Sequence, residues 1–214
     1  RYRSSAASDV YKRQGLVWLE ELKLDRSSPV PLSVLSALPR LKILKAPGLS
    51  PGQGFSRISG LTQLEDMEIL EARELEDLNA LREMSRLKRL VLGSSDRLRD
   101  LRPLAGLTGM EEMIIGGPRL ADLSPIAGLS RLTILGLNEA HSIEDLSPLA
   151  GLPVLRELVL SGARRVKNLR TIRGLSSLQE LGLQDMGDLS TLDGLQECTP
   201  VSYTHLRAHE TVRN

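Results

Sequence analysis

Residues 128–172 read GLSRLTILGLNEAHSIEDLSPLAGLPVLRELVLSGARRVKNLRTI. The stretch contains one apolar pattern twice. Leu129, Leu132, Leu135, Leu137, Ile143, Leu146 and Leu149 are followed by Leu152, Leu155, Leu158, Leu160, Val166, Leu169 and Ile172, each 23 residues after its counterpart. Working outward, the first leucine position of each run falls at Leu16, Leu38, Leu61, Met84, Leu107, Leu129, Leu152 and Leu175, in steps of 22 or 23. A period in the low twenties with this spacing is the mark of leucine-rich repeats.

The spacing also dictates the local structure of one turn. Alternation at Leu135-x-Leu137, Leu158-x-Leu160 and Leu181-x-Leu183 is the period of a short strand with one buried face. Stacked turns then form a parallel sheet. On the return side, Arg102-Pro103, Ser124-Pro125 and Ser147-Pro148 precede an apolar-Ala-Gly-Leu run. Serine suits an N-cap, proline the first helical position, and glycine a turn end with positive φ. One turn cannot bury its own leucines, so stability comes from stacking. The expected fold is α/β: a solenoid of about eight turns, with a parallel β-sheet on the concave face and short helical or 3-10 segments on the convex face.

The segments DLRPLAGL (100–107), DLSPIAGL (122–129) and DLSPLAGL (145–152) resemble the return segments of bacterial leucine-rich repeats. Such repeats occur in internalin-like surface proteins and in the C-terminal regions of NACHT-type signalling NTPases. The internalin pattern places an asparagine after each strand. Here Ser95, Pro118, Ala140 and Ala163 stand in that place. Arginine outnumbers lysine 22 to 6, compatible with a GC-rich genome and with the signalling proteins common in such genomes.

The two ends lack the leucine spacing. Ser4–Gln14, SSAASDVYKRQ, and Val201–Thr211, VSYTHLRAHET, resemble translated adapters of transposase-based sequencing libraries. The expected organisation is therefore an adapter-derived tail at 1–14, a repeat domain at 15–200 truncated at both ends, and a second tail at 201–214. The tails are expected to be disordered or to make only opportunistic contacts. Without them, 22 Lys and Arg face 25 Asp and Glu, a net charge of about −3 rather than the +1 of the whole chain. All three tyrosines and two of the three histidines lie in the tails, leaving Trp18, Phe55 and His141. Neither a basic surface nor an aromatic stacking platform remains to favour nucleic acid.

Catalytic chemistry has little support. No phosphate-binding glycine loop, metal-spaced Cys/His set or nucleophile motif occurs between residues 15 and 200. His141 sits in a variable loop with no partner constellation, and Cys198, three residues after Leu195, reads as a small buried hydrophobe. The loop Pro47–Gly54, PGLSPGQG, replaces the ordinary return loop of the second unit, with Phe55 and Ile58 at leucine positions. It reads either as a projecting functional loop or as a solvated connection.

Two columns recur through the repeats. Asp77, Asp100, Asp122, Asp145 and Asp188, with Asn168 in the same register, each precede a return-segment leucine. They read as capping groups for their own turns. A stacked cation site is the alternative, but calcium needs six to eight oxygen ligands and each Asp stands alone. No metal or cofactor is expected.

The second column faces away from the core. Lys23, Lys45, Glu68, Val91, Ile114, Gly136, Val159 and Gly182 lie between the strand leucines. Glu21, Ile43, Asp66, Arg89, Glu112, Ile134, Glu157 and Glu180 lie one step earlier on that face. Val91, Ile114, Ile134 and Val159 are expected to form an apolar strip bordered by Glu112, Glu157 and Glu180. Such a surface marks a partner site, unless the β-branched residues serve strand propensity alone.

The reading that follows is a monomeric, non-catalytic recognition module for a protein or other ligand, with no nucleic-acid partner and no membrane segment. Its expected setting is the cytoplasmic sensor region of a larger bacterial signalling NTPase. The alternatives are an internalin-like surface adhesin or secreted interaction protein, and the substrate-binding arm of an enzyme whose catalytic domain lies elsewhere.

Overall fold

In a computed structural model, residues 17–26, 32–49, 54–187, 189–191 and 202–207 are described. Each repeat contributes one strand: β1 (Glu21–Lys23), β2 (Ile43–Lys45), β3 (Asp66–Ile69), β4 (Arg89–Leu92), β5 (Glu112–Gly116), β6 (Ile134–Asn138), β7 (Glu157–Ser161) and β8 (Glu180–Gln184). All pair in parallel with their sequence neighbours in one sheet. Repeat-equivalent residues pair directly, with no stagger from turn to turn. Leu44, Met67, Leu90, Met113, Leu135, Leu158 and Leu181 stand opposite one another in successive strands.

The chain returns through one helical turn, α1 (Leu32–Leu35), and six 3-10 segments: η1 (Phe55–Ile58), η2 (Asn79–Leu81), η3 (Arg102–Leu104), η4 (Ser124–Ile126), η5 (Ser147–Gly151) and η6 (Arg170–Gly174). The repeat leaves room for only three to five residues here, and a 3-10 turn closes in fewer residues than an α-helical one. The strand sheet lines the concave face and these segments the convex one. Between them runs a continuous core of leucines, isoleucines and methionines, most of them fully buried. Phe55 and Ile58 join that core, so the altered second unit keeps its leucine positions despite its loop.

Several local expectations need correction. The residue that caps each 3-10 segment is the leucine before it, Leu123 or Leu146, and the serine takes the first helical position. The return-segment glycines do not adopt positive φ: Gly162 alone does so among the described glycines. At Gly151 the requirement is steric instead, because a Cβ would stand 2.6 Å from the Ala127 carbonyl oxygen of the preceding turn. Left-handed backbone falls two residues after the last strand leucine, at Ser94, Glu139 and Asp185, in the repeat position of Gly162.

The position of the missing asparagine is filled by a column of small residues, Ala72, Ser95, Gly117, Ala140 and Ala163. In the first four of these the backbone N–H donates to a strand-end carbonyl of the next turn, as Ser95 N–H does to Gly116 O at 2.7 Å. The column member in the fifth unit is thus Gly117 rather than Pro118. The ninth strand, β9 (Ser202–Arg207), pairs in parallel with β8, with a register shift between Gly182 and Gln184. Regular structure was not expected there. Without that strand the edge of β8 would leave N–H and C=O groups open, a ready template for any extended segment.

Candidate functional site

The aspartate column resolves into one repeated hydrogen bond. Asp77, Asp100, Asp122 and Asp145 each accept, through Oδ1, from the backbone N–H two residues on, at 2.8–2.9 Å. Asn168 accepts the equivalent bond from Arg170 at 3.2 Å. Ser147 adds a hydroxyl bond to the second oxygen of Asp145 at 2.7 Å, and Arg102 a guanidinium bond to Asp100. These bonds hold the carboxyls of Asp100, Asp122 and Asp145 below the usual carboxylate range, with the hydroxyl or guanidinium contact the leading cause. Asp188 and Cys198 lie outside the described residues.

Among the described residues no group of three or more His, Cys, Asp or Glu is placed to hold a metal ion. Asp145→Ala is expected to lower the unfolding temperature by about 2–4 °C, the effect of losing one cap in a domain of this size. Calcium should leave the wild-type melting curve in place. A calcium-dependent rise of several degrees in scanning calorimetry would overturn the capping role. The stabilisation belongs to the ionised form. It is present above the unfolded aspartate pKa and fades as pH falls through the lowered folded value.

The concave face is divided by charge. In its N-terminal half, Arg89 lies at the centre of an ion network across β3, β4 and β5. Its guanidinium donates to Asp66 at 2.9 Å, Glu68 at 3.0 Å and Glu112 at 3.0 Å. Lys45 approaches Asp66 from β2 at 3.4 Å. Asp66, Glu112 and Arg89 are all half-buried, and three carboxylates raise the Arg89 pKa despite its partial burial.

This network corrects the expected apolar strip. Val91 stands in register between Glu68 and Ile114. With the Arg89–Glu68 pair on one side and Ile114 on the other, it is only 7% exposed. Of the expected strip, the accessible members are therefore Ile114, Ile134 and Val159, all half-buried; Ile43 is half-buried on the same face but lies apart, beside Asp66. Ile134 belongs to the neighbouring column, between Glu112 and Glu157. Ile114 leans over Gly136 and Val159 over Gly182: a Cβ on either glycine would meet the branched side chain at 3.2–3.3 Å. The result is a low apolar floor over β5 to β8, edged by carboxylates.

Glu157 is the unusual member of that edge. It is half-buried, and among the described residues no cation or hydrogen-bond donor faces it. Burial, then the charges of Glu180 and Glu112, push its pKa up. A raised pKa means that the folded state binds the proton more tightly than the unfolded state does. The penalty of the charged form is therefore complete above the folded pKa and is relieved as pH falls through it. Glu157→Gln is accordingly expected to raise the melting temperature at pH 7 by about 1–3 °C, with the gain vanishing near pH 4. A gain of equal size at both pH values would assign the effect to packing instead of charge.

Outside the sheet face, a charge ladder escaped notice in the sequence. Glu20, Lys42, Glu65, Lys88 and Glu111 occupy the position just before successive strands, alternating in sign. Lys42 donates to Glu20 and Lys88 to Glu65, each at 2.8 Å. Alternation at the repeat period was the available signal. His141 is half-buried beside Gly162. A recess on the flank, lined by Phe55, Glu74, Glu76 and Arg97 among others, is closed electrostatically because Arg97 already pairs with Glu74 and Glu76. Residues 50–53 lie outside the described residues.

No protein-family model and no curated protein sequence matches the chain. Solved structures do. A leucine-rich-repeat protein of Leptospira interrogans superposes with a TM-score of 0.72 at 19% identity, over 91% of this chain and 50% of that one. Internalin C2 of Listeria monocytogenes gives 0.60 at 26% identity, over 80% of this chain and 83% of its own. Mouse RP105, solved as a complex with MD-1, gives 0.65 at 24% identity over 89% of this chain and 35% of that one. With its period, parallel sheet and 3-10 returns, the chain has the fold of a leucine-rich-repeat solenoid.

Proposed function

We propose that this chain is a non-catalytic recognition module that binds a protein partner on the concave face of β5 to β8. The observation that carries the reading is the apolar floor of Ile114, Ile134 and Val159, bordered by Glu112, Glu157 and Glu180 in unbroken register. An accessible apolar centre with a polar margin is the anatomy of a protein interface. The likeness to RP105, a repeat protein seen with a protein partner, supports the same reading.

Two settings are open to such a module. The likeness to internalin C2 favours a surface or secreted interaction protein. The DLSPLAGL segments also fit the sensor region of a bacterial signalling NTPase. A phosphate-binding loop encoded upstream would select the second, and a signal peptide the first.

A displayed random-peptide library selected on the chain tests the site. Replacing Ile114 and Val159 together by Ser should leave folding nearly intact and weaken the selected binders by about tenfold or more, in line with hot-spot losses of at least ~1 kcal/mol per residue. Glu83→Lys and Arg131→Glu, on exposed positions of the return side, should leave binding unchanged. The reverse outcome moves the site to the convex face.

A further inference from the structure

We infer that the concave floor accepts a basic protein segment, in which a Lys or Arg flanked by apolar residues is seated beside Glu157. The inference rests on the interface proposed above and supplies the chemistry of its occupant. Two features of the face carry it. The first is the unequal charge balance of its two halves. In the N-terminal half every carboxylate is met by a cation: Lys45 and Arg89 take Asp66, and Arg89 takes Glu68 and Glu112. Past Glu112 the positions that follow in the two columns as far as β8 are Ile134, Gly136, Glu157, Val159, Glu180 and Gly182, and among the described residues no cation meets Glu157.

The second feature is the shape around Glu157. It stands in register with Ile134 on one side and Glu180 on the other, with Val159 two residues along the same strand. The glycines at 136 and 182 keep the floor low there. A Lys or Arg side chain suits this surface in both of its parts. Its methylene stem covers the apolar residues of Ile134 and Val159, and its charged end reaches the carboxylate. Binding would supply the missing counter-charge in a place where partial burial makes it count for more than on an open surface. An acidic segment would meet the unmatched charge of Glu157, and is repelled.

The selected peptides provide the test. Enrichment for Lys or Arg next to Val, Ile or Leu is expected. The best binder should weaken about tenfold or more on Glu157→Gln at low salt, and wild-type binding should weaken as salt is raised. Glu157→Gln is a sound probe because removal of this charge is expected to stabilise the fold. Enriched peptides that are acidic or neutral overturn the inference. So do basic peptides that bind the Glu157→Gln chain as tightly as wild type. Loss of binding on the Ile114→Ser/Val159→Ser chain in either case would leave the concave interface standing and remove only its basic occupant. Spermidine alone, titrated by calorimetry, is expected to bind at least tenfold more weakly than the best peptide, because it lacks the apolar flanks (about 1.4 kcal/mol per factor of ten). Equal affinity would assign the site to small polyamines and overturn the protein segment.

Discussion

Replacing Leu135 by alanine is expected to lower the unfolding free energy by about 2–5 kcal/mol, the range for emptying a fully buried leucine site. Leu135 has no exposed surface and stands between Met113 and Leu158 in the sheet register. The vacated volume therefore opens toward the turns on both sides, and neither can close it without leaving its own register. Leu22 occupies the same repeat position in β1 but is only partly buried. Its alanine variant should lose about 1 kcal/mol, in keeping with the smaller area removed from the core. Denaturant titration of the two variants checks the contrast. Equal losses would show that position along the solenoid does not govern the strength of a turn.

Arg89→Met is expected to cost about 1–3 kcal/mol. The estimate lies between the worth of an exposed ion pair and the loss on stripping one partner from a buried one, because Arg89 and its three carboxylates are half-buried. The methionine keeps most of the stem's packing, so the loss reports the charge. Asp66, Glu68 and Glu112 would then face one another without the guanidinium. Adding Glu68→Gln and Glu112→Gln to Arg89→Met should recover part of the stability, and high salt should narrow the gap between Arg89→Met and wild type. A loss under about 0.5 kcal/mol would class the network with ordinary surface pairs.

Much of the fold was legible because the repeat writes every structural decision several times. The strand leucines, the outward columns and their unstaggered register follow from period alone, since parallel stacking places equivalent residues opposite each other. Departures occur where one residue acts across turns. Nothing in the spacing around Val91 tells that it will be buried while an arginine two positions earlier reaches both neighbouring strands. Serine looked like the cap because its side chain suits that role. In the structure the aspartate two residues earlier takes over the turn's N–H, which moves the segment's start by one. Glycine looked like the left-handed residue of the return, but Ser94, Glu139 and Asp185 carry that conformation after the strands. Of the candidate site, Ile114, Ile134, Val159 and the three glutamates were placed on their columns by the sequence. The missing cation beside Glu157 needed the geometry.

The strand order, each β-strand beside only its sequence neighbours, has a mechanical consequence. A pull on the two ends runs through the turns in series, because among the described elements no contact ties the first turn to the last. The turns would let go in series, each paying out on the order of 80 Å of chain for a repeat of this length. A protein built this way yields in small increments and can rewind behind the break. It behaves as an extensible tether whose middle still holds its shape while an end is drawn out.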